Sequence, residues 1–270
     1  MDFTLSKYKE LLQAFLSEGY KIYAVEDYLT RQPDDEKVLV LRHDVDEKPE
    51  NALEIARIEF SLGIKSTFYF RIGKISNQPN IIAEIVSLEH ELGYHYENLS
   101  HCRGDYEKAV IDFKQNLAYF REFYPVKTVC MHGNSKSPFD NKDLWNHIQL
   151  SDFGLIGEPY LSFDFDKFYY IKDTGYCFDG GNYVFYDSVE SKFDVPSYHT
   201  TQDLINGIKN GELPDKILLL VHTLWTDNQL DRFKIEVREF LKSRLKHLLN
   251  KNKWLKKQFF NITRHFSSNF

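Results

Sequence analysis

The sequence predicts an α/β protein, a distorted or incomplete (β/α)7 barrel built as a single domain with a C-terminal basic helix. Strand-like and helix-like segments alternate along most of the 270 residues, which is typical of parallel strands joined by crossover helices. The strand-like segments at 38–44 and 216–223 are almost continuously apolar, as strands buried on both faces are. About seven strands in a chain of this length favour a barrel over an open sheet, and no low-complexity linker divides the chain.

Four strands and the helices between them are predicted in the first half of the chain. The strands are short apolar runs at 38–44, 66–71, 94–97 and 126–132. The helices have apolar residues at helical spacing and cover 4–18, 49–62, 80–91 and about 105–123. Pro49 suits the first turn of its helix, where no backbone N–H is needed, and Gly19, Gly63 and Gly93 are interpreted as helix stops.

The second half of the chain has a less regular pattern. Short strands are predicted at 153–158, 167–173 and 182–187, followed by a helix at 202–210 and the strong strand at 216–223. From Leu230 to about Phe260 the pattern is helical. We therefore expect a barrel domain over 1–230 and a basic helical segment over 231–270.

The charge of the chain is unevenly distributed. The net charge is −6, but the segment from Phe240 to the end contributes +8 because it has eight Lys or Arg residues and no Asp or Glu. Residues 1–239 therefore carry −14. An acidic body argues against a protein that binds nucleic acid through its main domain.

Composition and cysteine usage indicate the class and compartment of the protein. The first ten residues, MDFTLSKYKE, carry charges where a secretory signal needs an apolar run. No apolar stretch approaches the roughly 20 residues that cross a bilayer. The three cysteines, Cys102, Cys130 and Cys177, are odd in number and lack the spacing of a metal motif. We expect a globular protein in the reducing cytoplasm.

Carboxylate and imidazole side chains stand at the carboxyl ends of several predicted strands. These residues are Asp44 and Asp46, His95 and Glu97, His132, and His222, with Arg71 ending the second strand and Trp225 just after the last. Because the carboxyl ends of parallel strands meet at one rim, where active sites of such folds form, we expect these side chains to converge.

The alternation of side chains along a strand sharpens this expectation. Asp44 and Asp46 share one face, whereas His43 and Val45 point the other way. Two adjacent carboxylates repel each other unless a cation or a shared proton separates them. One Asp and two imidazoles, with positions left for water, make a catalytic metal site, and the other Asp is then a general base. A protonated His222 could donate its proton to a leaving amine or alkoxide.

Each of these residues also has a purely structural explanation. The two aspartates could stabilise the N-terminus of the helix that Pro49 opens, and a strand histidine such as His95 could bind only backbone. His132 could be a turn residue, and His222 could cap a core strand. Cys130 is interpreted as a small buried apolar residue. His90, His147, His247 and His265 are interpreted as surface residues, and for His101, which could reach a metal, a solvated loop position is preferred.

Four short motifs resemble the polysaccharide deacetylase superfamily (NodB-homology, carbohydrate esterase family 4 type). They are RHDVD at Arg42–Asp46, HYE at His95–Glu97, MHG at Met131–Gly133 and His-x-x-Trp at His222–Trp225, and the resemblance covers roughly 37–226. It implies a distorted (β/α)7 barrel. It also implies that Asp44 is the catalytic base, Asp46 a metal ligand and His222 the general acid.

The chain departs from this family at the third metal ligand. The best-known members use two histidines four residues apart, but four residues after His95 stands Leu99. The candidates are His132, Glu97 and His101, and His132 is preferred because it is an imidazole at the end of a neighbouring strand. The expected ion is a divalent metal, zinc first, with manganese or cobalt as alternatives.

The resemblance also suggests what surrounds the reacting group. Arg71, Glu97 and Trp225 are expected to contact substrate at the rim. An insert at about 150–191 has no counterpart in the family's core motifs, and its aromatic residues are expected to shape a sugar cleft.

The expected function is metal-dependent removal of an N-acetyl group, or an O-acetyl group, from a sugar in surface glycan biosynthesis. A cytoplasmic location favours a nucleotide- or lipid-linked sugar as substrate. One alternative is a non-catalytic glycan-binding protein, and another is a glycosyltransferase, because Asp44-Val45-Asp46 also fits the DxD pattern. The basic C-terminal helix could contact a membrane peripherally, but a helix packed on the barrel with its lysines in solvent is preferred.

Overall fold

The computed structural model describes residues 2–33, 36–134, 137–179, 189 and 192–251. The strand predicted at 182–187 and the residues from 252 onwards lie outside the described residues. The described strands are β1 (Lys21–Tyr23), β2 (Val38–Val45), β3 (Thr67–Phe70), β4 (Glu91–Tyr96), β5 (Val129–Met131), β6 (Tyr169–Lys172) and β7 (Lys216–His222).

Helices alternate with these strands along the chain. They are α1 (Leu5–Ser17), α2 (Val25–Arg31), α3 (Pro49–Ser61), α4 (Pro79–Ser87), α5 (Asn98–His101), α6 (Tyr106–Phe120), α7 (Pro159–Ser162), α8 (Thr201–Lys209) and α9 (Gln229–Lys251). Two short 3₁₀ helices, Asn141–Asn146 and Leu150–Phe153, follow β5. In the described part of the chain, no helix is long and apolar enough to cross a membrane.

All strand pairs in the sheet are parallel, in the order β5-β4-β3-β2-β7-β6. The added strand β1 pairs with the first half of β2, from Lys21 opposite Val38 to Tyr23 opposite Val40. The sheet curls into a half-barrel, and among the described residues no strand pairing joins β5 to β6. The predicted incomplete α/β barrel is therefore confirmed.

Residues of β2 alternate between two apolar clusters. Val38 and Val40 face the concave side of the sheet, in a cluster that also contains Tyr69. Leu39 and Leu41 face the opposite side, in the larger cluster that includes residues of the surrounding helices. Because β2 is buried along its whole length, alternation decides which of its residues face the inside of the barrel.

The structure differs from the sequence prediction at three places. The segment 153–158 is mostly irregular and touches the sheet only through one bridge between Thr128 and Gly157. β1 and α2 occupy a segment for which no element is predicted. Gly93 lies inside β4 instead of ending a helix. A glycine is needed at this position because a Cβ atom there would come 2.3 Å from ring carbons of Tyr69 on the neighbouring strand.

Candidate active site

The candidate site lies at the carboxyl ends of β2, β4 and β7 and in the segment after β5. β2 supplies Asp44 and leads directly to Asp46, and β4 ends next to Glu97. Asp44, His95 and Glu97 are almost fully buried, at 5%, 2% and 4% exposure, whereas the Asp46 side chain is 31% exposed. The rim predicted from the strand ends therefore exists, and its polar groups face one another.

Asp46 lies between two imidazoles. Its Oδ1 atom is 3.5 Å from Nε2 of His95 and 3.4 Å from Nε2 of His132. This oxygen is buried and accepts no hydrogen bond from the described residues, although most buried polar atoms have a partner. The histidines oppose the burial that would otherwise raise the pKa of Asp46 and lower that pKa to about 2. Asp46 is therefore an anion with an unsatisfied oxygen.

Hydrogen bonds fix the orientation of both imidazoles. Nδ1 of His95 lies 2.9 Å from the carbonyl oxygen of Cys130, which can only accept, so Nδ1 is the donor. Burial lowers the pKa of His95, against the charges of Asp44 and Asp46, and so favours its neutral form. In that form Nε2 carries a lone pair directed towards Asp46.

Glu97 fixes His132 in the same way. The carboxylate accepts a hydrogen bond from Nδ1 of His132 at 3.1 Å, and it also accepts from Nε of Arg71 at 2.9 Å. Burial opposes ionisation of Glu97, but hydrogen bonds from His101 and His132 and the charge of Arg71 outweigh it and lower the Glu97 pKa well below its usual range. Glu97 thus orients the side chains of His132 and Arg71 through these hydrogen bonds.

The carboxylate oxygen of Asp46 thus faces one ring nitrogen of His95 and one of His132. Carboxylate oxygens and imidazole nitrogens are common ligands of divalent metals. Ligands that lie 2.0–2.2 Å from a tetrahedral zinc ion are about 3.3–3.6 Å apart, which matches the two distances from Asp46. Metal-bound histidines commonly donate their other N–H to a carbonyl or a carboxylate, as His95 and His132 do here. Asp46, His95 and His132 could hold a divalent metal.

Asp44 has a different environment from Asp46. Nη1 of Arg42 donates to both Asp44 oxygens, at 2.9 and 3.3 Å. Asp44 Oδ2 also lies 3.6 Å from Nε2 of His95. The Arg42 side chain is completely buried. Arg42 therefore neutralises Asp44 locally, whereas the nearest guanidinium to Asp46 among the described residues, that of Arg71, is 3.8 Å away.

Arg42 also joins the two open edges of the half-barrel. Its Nη2 donates to the hydroxyl groups of Tyr160 at 2.8 Å and Tyr170 at 3.0 Å. Its Nη1 lies 2.7 Å from the thiol of Cys130, whose pKa is raised well above its usual range by burial. Cys130 is therefore a buried thiol, in agreement with its interpretation from the sequence.

Aromatic residues of the predicted insert at 150–191 occupy the barrel interior in the described part. Phe163 and Phe168 belong to the apolar cluster on the concave face, and Tyr160 and Tyr170 pack against it. These four rings therefore fill the open barrel. The expectation that insert aromatics shape a sugar cleft stays untested for the residues 180–188, which lie outside the described part.

His222 is held by a residue that the sequence analysis missed. Asp173 accepts from Nδ1 of His222 at 2.7 Å and from its backbone N–H at 2.9 and 3.1 Å. Burial alone would lower the pKa of His222, but the hydrogen bond and charge of Asp173, with smaller contributions from Asp44 and Asp46, raise it to about 9. Asp173 directly follows β6, so its position at a sixth strand end was the signal that could have found it.

Trp225 does not occupy the position expected of a substrate contact. Its side chain has no exposed surface, and its Nε1 donates to Asp173 at 2.7 Å. The ring packs against Phe3 and Tyr8, which belong to the same apolar cluster. The expectation that Trp225 contacts substrate is therefore wrong, because packing from the N-terminal segment encloses the indole, and its role is to help fix Asp173.

His43 and His90 form a buried cluster on the other side of the sheet. Nε2 of His43 is 2.8 Å from Oε1 of Glu59 in α3, and its Nδ1 is 3.2 Å from the carbonyl oxygen of Val221. His43 thus points away from the rim, as alternation predicts. His90 is fully buried, 3.6 Å from Glu59, so the expectation of a surface residue is wrong. The segment that ends α4 turns inward here, which the sequence pattern does not reveal.

A second group of metal-binding residue types lies away from the rim. Donor atoms of Cys177, Asp179 and His199 are within 4.8 Å of one another. His199 Nδ1 already pairs with Asp179 at 3.0 Å, and His199 is largely exposed. The ion pair between Asp179 and His199 explains why these two side chains lie close together without a bound ion.

The comparisons with known proteins give structural likeness only. No protein-family model matches the chain, and no curated protein matches it. The similar solved structures are of family 4 carbohydrate esterases, the family that the four motifs resemble. A mutant of a CE4 family pseudoenzyme from Bacillus anthracis, with restored enzymatic activity, shares 12% identity and has a TM-score of 0.44, over 78% of this chain and 64% of that one.

Two further structures show a similar degree of likeness. A family 4 carbohydrate esterase from Bacillus anthracis shares 17% identity at a TM-score of 0.40, over 87% of this chain and 86% of that one. A Streptococcus mutans CE4 esterase shares 11% identity at a TM-score of 0.43, over 87% and 90%. The chain spans 64% of the length of the pseudoenzyme mutant. At these values the likeness concerns the fold in outline and carries no information about the chemistry of the site.

Proposed function

We propose that the protein is a metal-dependent deacetylase that hydrolyses a carbon–nitrogen bond other than a peptide bond, in an N-acetylated sugar used for surface glycan biosynthesis. One observation carries this proposal. Among the described residues, Asp46 Oδ1 is buried without a hydrogen-bond donor, 3.4 and 3.5 Å from two imidazole nitrogens whose other ring nitrogens are held as donors. This set of one carboxylate oxygen and two imidazole nitrogens suits a divalent cation.

The metal ligands in this proposal are Asp46, His95 and His132. Glu97 is not chosen, because Arg71, His101 and His132 already occupy its oxygens. His101 is not chosen either, because its contact is with Glu97 and its side chain is 44% exposed. A divalent metal there, zinc first and manganese or cobalt as alternatives, would polarise the acyl carbonyl as a Lewis acid.

Asp44 and His222 share the proton transfers. Asp44 is an anion fixed by Arg42 beside His95, and it accepts the proton of the attacking water. His222 pairs with Asp44 in the register of β2 and β7, so the two residues are neighbours on the rim. With a pKa of about 9, His222 is protonated near neutral pH and donates its proton to the leaving nitrogen.

The substrate side of the proposal rests on the rim and on the compartment. Arg71 is 27% exposed and is held by Glu97 next to Asp46, where its guanidinium can bind a polar group of the sugar. The three cysteines are free, which suits a reducing cytoplasm. A cytoplasmic enzyme would act on a nucleotide- or lipid-linked sugar.

Metal analysis tests the site. Wild-type protein loaded with zinc and passed through a desalting column is expected to retain about one ion per chain. The variant Asp46→Asn keeps the shape of the side chain but removes its charge, and it is expected to retain almost none. Asp166→Asn is the matched control, because Asp166 is exposed and pairs only with Lys192 among the described residues. Equal zinc in wild type and in Asp46→Asn refutes the site.

Acetate release tests the activity. The zinc-loaded protein is incubated with a nucleotide-linked N-acetylhexosamine and with an N-acetylated oligosaccharide, and free acetate and sugar amine are measured. Release in wild type and its loss in Asp44→Asn and Asp46→Asn support the proposed deacetylase. A protein that holds zinc and binds glycan but releases no acetate would instead be a non-catalytic glycan-binding protein.

A further inference from the structure

Helix α9 exposes a continuous apolar stripe. Leu230, Phe233, Val237 and Leu241 are 72%, 64%, 41% and 61% exposed. Their spacing of three, four and four residues places them on one face of the helix. Ile235 lies on a different face and is only 3% exposed, so α9 packs on the body through that face and leaves the stripe in solvent. The described part of α9 therefore has both a buried face and an exposed apolar face.

Ion pairs fix α9 beside the candidate active site. Both Nη atoms of Arg238 bind the carboxylate of Glu47, at 2.6 and 2.5 Å. Lys48 lies 3.9 Å from Asp231 in the first turn of the helix. Glu47 and Lys48 directly follow the metal ligand Asp46 in the loop that leads to α3. The exposed stripe is thus carried by a helix that is tied to the rim of the barrel.

The charge of the C-terminal segment decides what can cover this stripe. From Phe240 to the end, the sequence has eight Lys or Arg residues and no Asp or Glu. Two copies of the chain that paired through α9 would bring two segments of +8 together, which Coulomb repulsion opposes. Exposed Leu and Phe side chains that are followed along the chain by a lysine-rich segment match an anionic lipid surface, where the apolar groups insert and the cations bind headgroups.

We propose that α9 is a membrane-docking helix that binds anionic phospholipid bilayers through Leu230, Phe233, Val237 and Leu241. The acidic body, at −14 for residues 1–239, is repelled by the same surface and stays in solution. Because α9 is held at the loop after Asp46, docking brings the rim close to the bilayer. With the deacetylase function proposed above, on which this step rests, the substrate is a sugar carried by a membrane lipid.

Vesicle co-sedimentation tests the docking with the full-length chain. Wild-type protein is expected to bind phosphatidylcholine vesicles that contain phosphatidylglycerol, to bind pure phosphatidylcholine much more weakly, and to be released by raised salt. The double variant Phe233→Ser with Leu241→Ser is expected to bind about tenfold more weakly or worse, because two inserted side chains are lost. Ile111→Ser is the matched control, since Ile111 is an exposed apolar residue, at 57%, on the distant helix α6.

The same experiment distinguishes the competing outcomes. Both substituted side chains are exposed, so the thermal midpoint of the double variant is expected to equal that of wild type. Undiminished vesicle binding by the double variant overturns the proposal, and so does equal binding to both vesicle types. A wild-type dimer in analytical ultracentrifugation that the double variant loses, without vesicle binding, assigns the stripe to a second copy of the chain and also overturns it.

Failure of the docking can be separated from failure of the chemistry. Asp46→Asn is expected to lose zinc and to bind anionic vesicles like wild type, because the docking surface does not use the metal site. Vesicle binding with no acetate release from any substrate would leave the docking proposal standing and refute the proposed activity. Acetate release without vesicle binding would support the proposed activity and refute the docking proposal.

Discussion

The substitution Asp173→Asn should change the acid strength of His222. The pKa of His222 lies at about 9 against an ordinary value of 6.5, in spite of burial that would lower it, and Asp173 is the largest cause of the rise. The difference is worth about 3 kcal/mol in favour of the protonated form, at roughly 1.4 kcal/mol per pH unit. In the variant, only the smaller effects of Asp44 and Asp46 oppose burial, so the pKa should fall to about 6.5 or lower.

This fall has a consequence for activity that can be calculated. At about pH 8, His222 with a pKa of about 9 is almost fully protonated, whereas with a pKa of about 6.5 only about 3% is protonated. The alkaline limb of kcat/KM should therefore move from about pH 9 towards about 6.5, with a loss of about thirtyfold at about pH 8 and a much smaller loss at about pH 6.

Nuclear magnetic resonance measures the same quantity without a substrate. The ring Cε1–H signal of His222 is followed from acidic to alkaline pH in wild type and in Asp173→Asn, both loaded with the same metal, so that any effect of the ion on the pKa is common to the two. Asp166→Asn is the control, because it removes an exposed carboxylate whose described ion pair is with Lys192 and not with His222. A variant in which His222 titrates as in wild type would refute the assigned role of Asp173.

Stability provides a second, independent readout of this pair. Because the pKa of His222 is raised in the folded state, the stabilisation from Asp173 is complete below the pKa of an unfolded histidine, near 6.5. It is lost as the pH rises through about 9. Chemical denaturation should therefore show a larger deficit for Asp173→Asn at about pH 6 than at about pH 10, on top of a constant loss from its other hydrogen bonds.

Two further substitutions test the support of the metal site and the packing of the barrel. Glu97→Gln removes the charge that holds Nδ1 of His132, so zinc affinity measured by chelator competition should fall by about 10- to 100-fold, and an unchanged affinity contradicts the orienting role. Gly93→Ala places a Cβ atom 2.3 Å from the buried Tyr69 ring, so urea denaturation should show a loss of about 1–3 kcal/mol, whereas Gly73→Ala, with nothing within 4 Å, should show almost none. Equal stability of the two alanine variants would contradict the close packing.

Strand ends were the part of the site that the sequence could reveal. A buried parallel strand has a strong apolar signal, and alternation then assigns each polar residue to a face. Asp44 and His43 accordingly lie on opposite sides of β2, with Arg42 and Glu59 as their respective partners. The prediction succeeded here because strand geometry is local and needs no knowledge of the neighbouring elements.

Contacts between distant segments could not be predicted in this way, even where, as for Asp173, the residue itself ends a predicted strand and so belongs to the rim. Asp173 lies 49 positions from His222 and meets it only because β6 pairs with β7. Trp225 stands next to the rim in sequence, but Phe3 from the N-terminal segment covers it. Gly93 has the sequence context of a helix stop, but the residue that requires a glycine there is Tyr69 on β3, whose ring leaves no room for a Cβ atom. In each case the deciding contact is tertiary, and periodicity carries no information about it.

The contacts of Arg42 support the different roles proposed for Asp44 and Asp46. Side chains two residues apart on β2 share a face, so Arg42 is placed directly beside Asp44 inside the barrel. A buried guanidinium is tolerated only where acceptors surround it, and here Asp44 supplies the charge while Tyr160 and Tyr170 supply hydroxyl oxygens. The charge of Asp44 is thereby balanced by the guanidinium of Arg42. Asp46, beyond the end of β2, lies near His95, His132 and Arg71 instead, and it is the carboxylate proposed to bind a cation from outside.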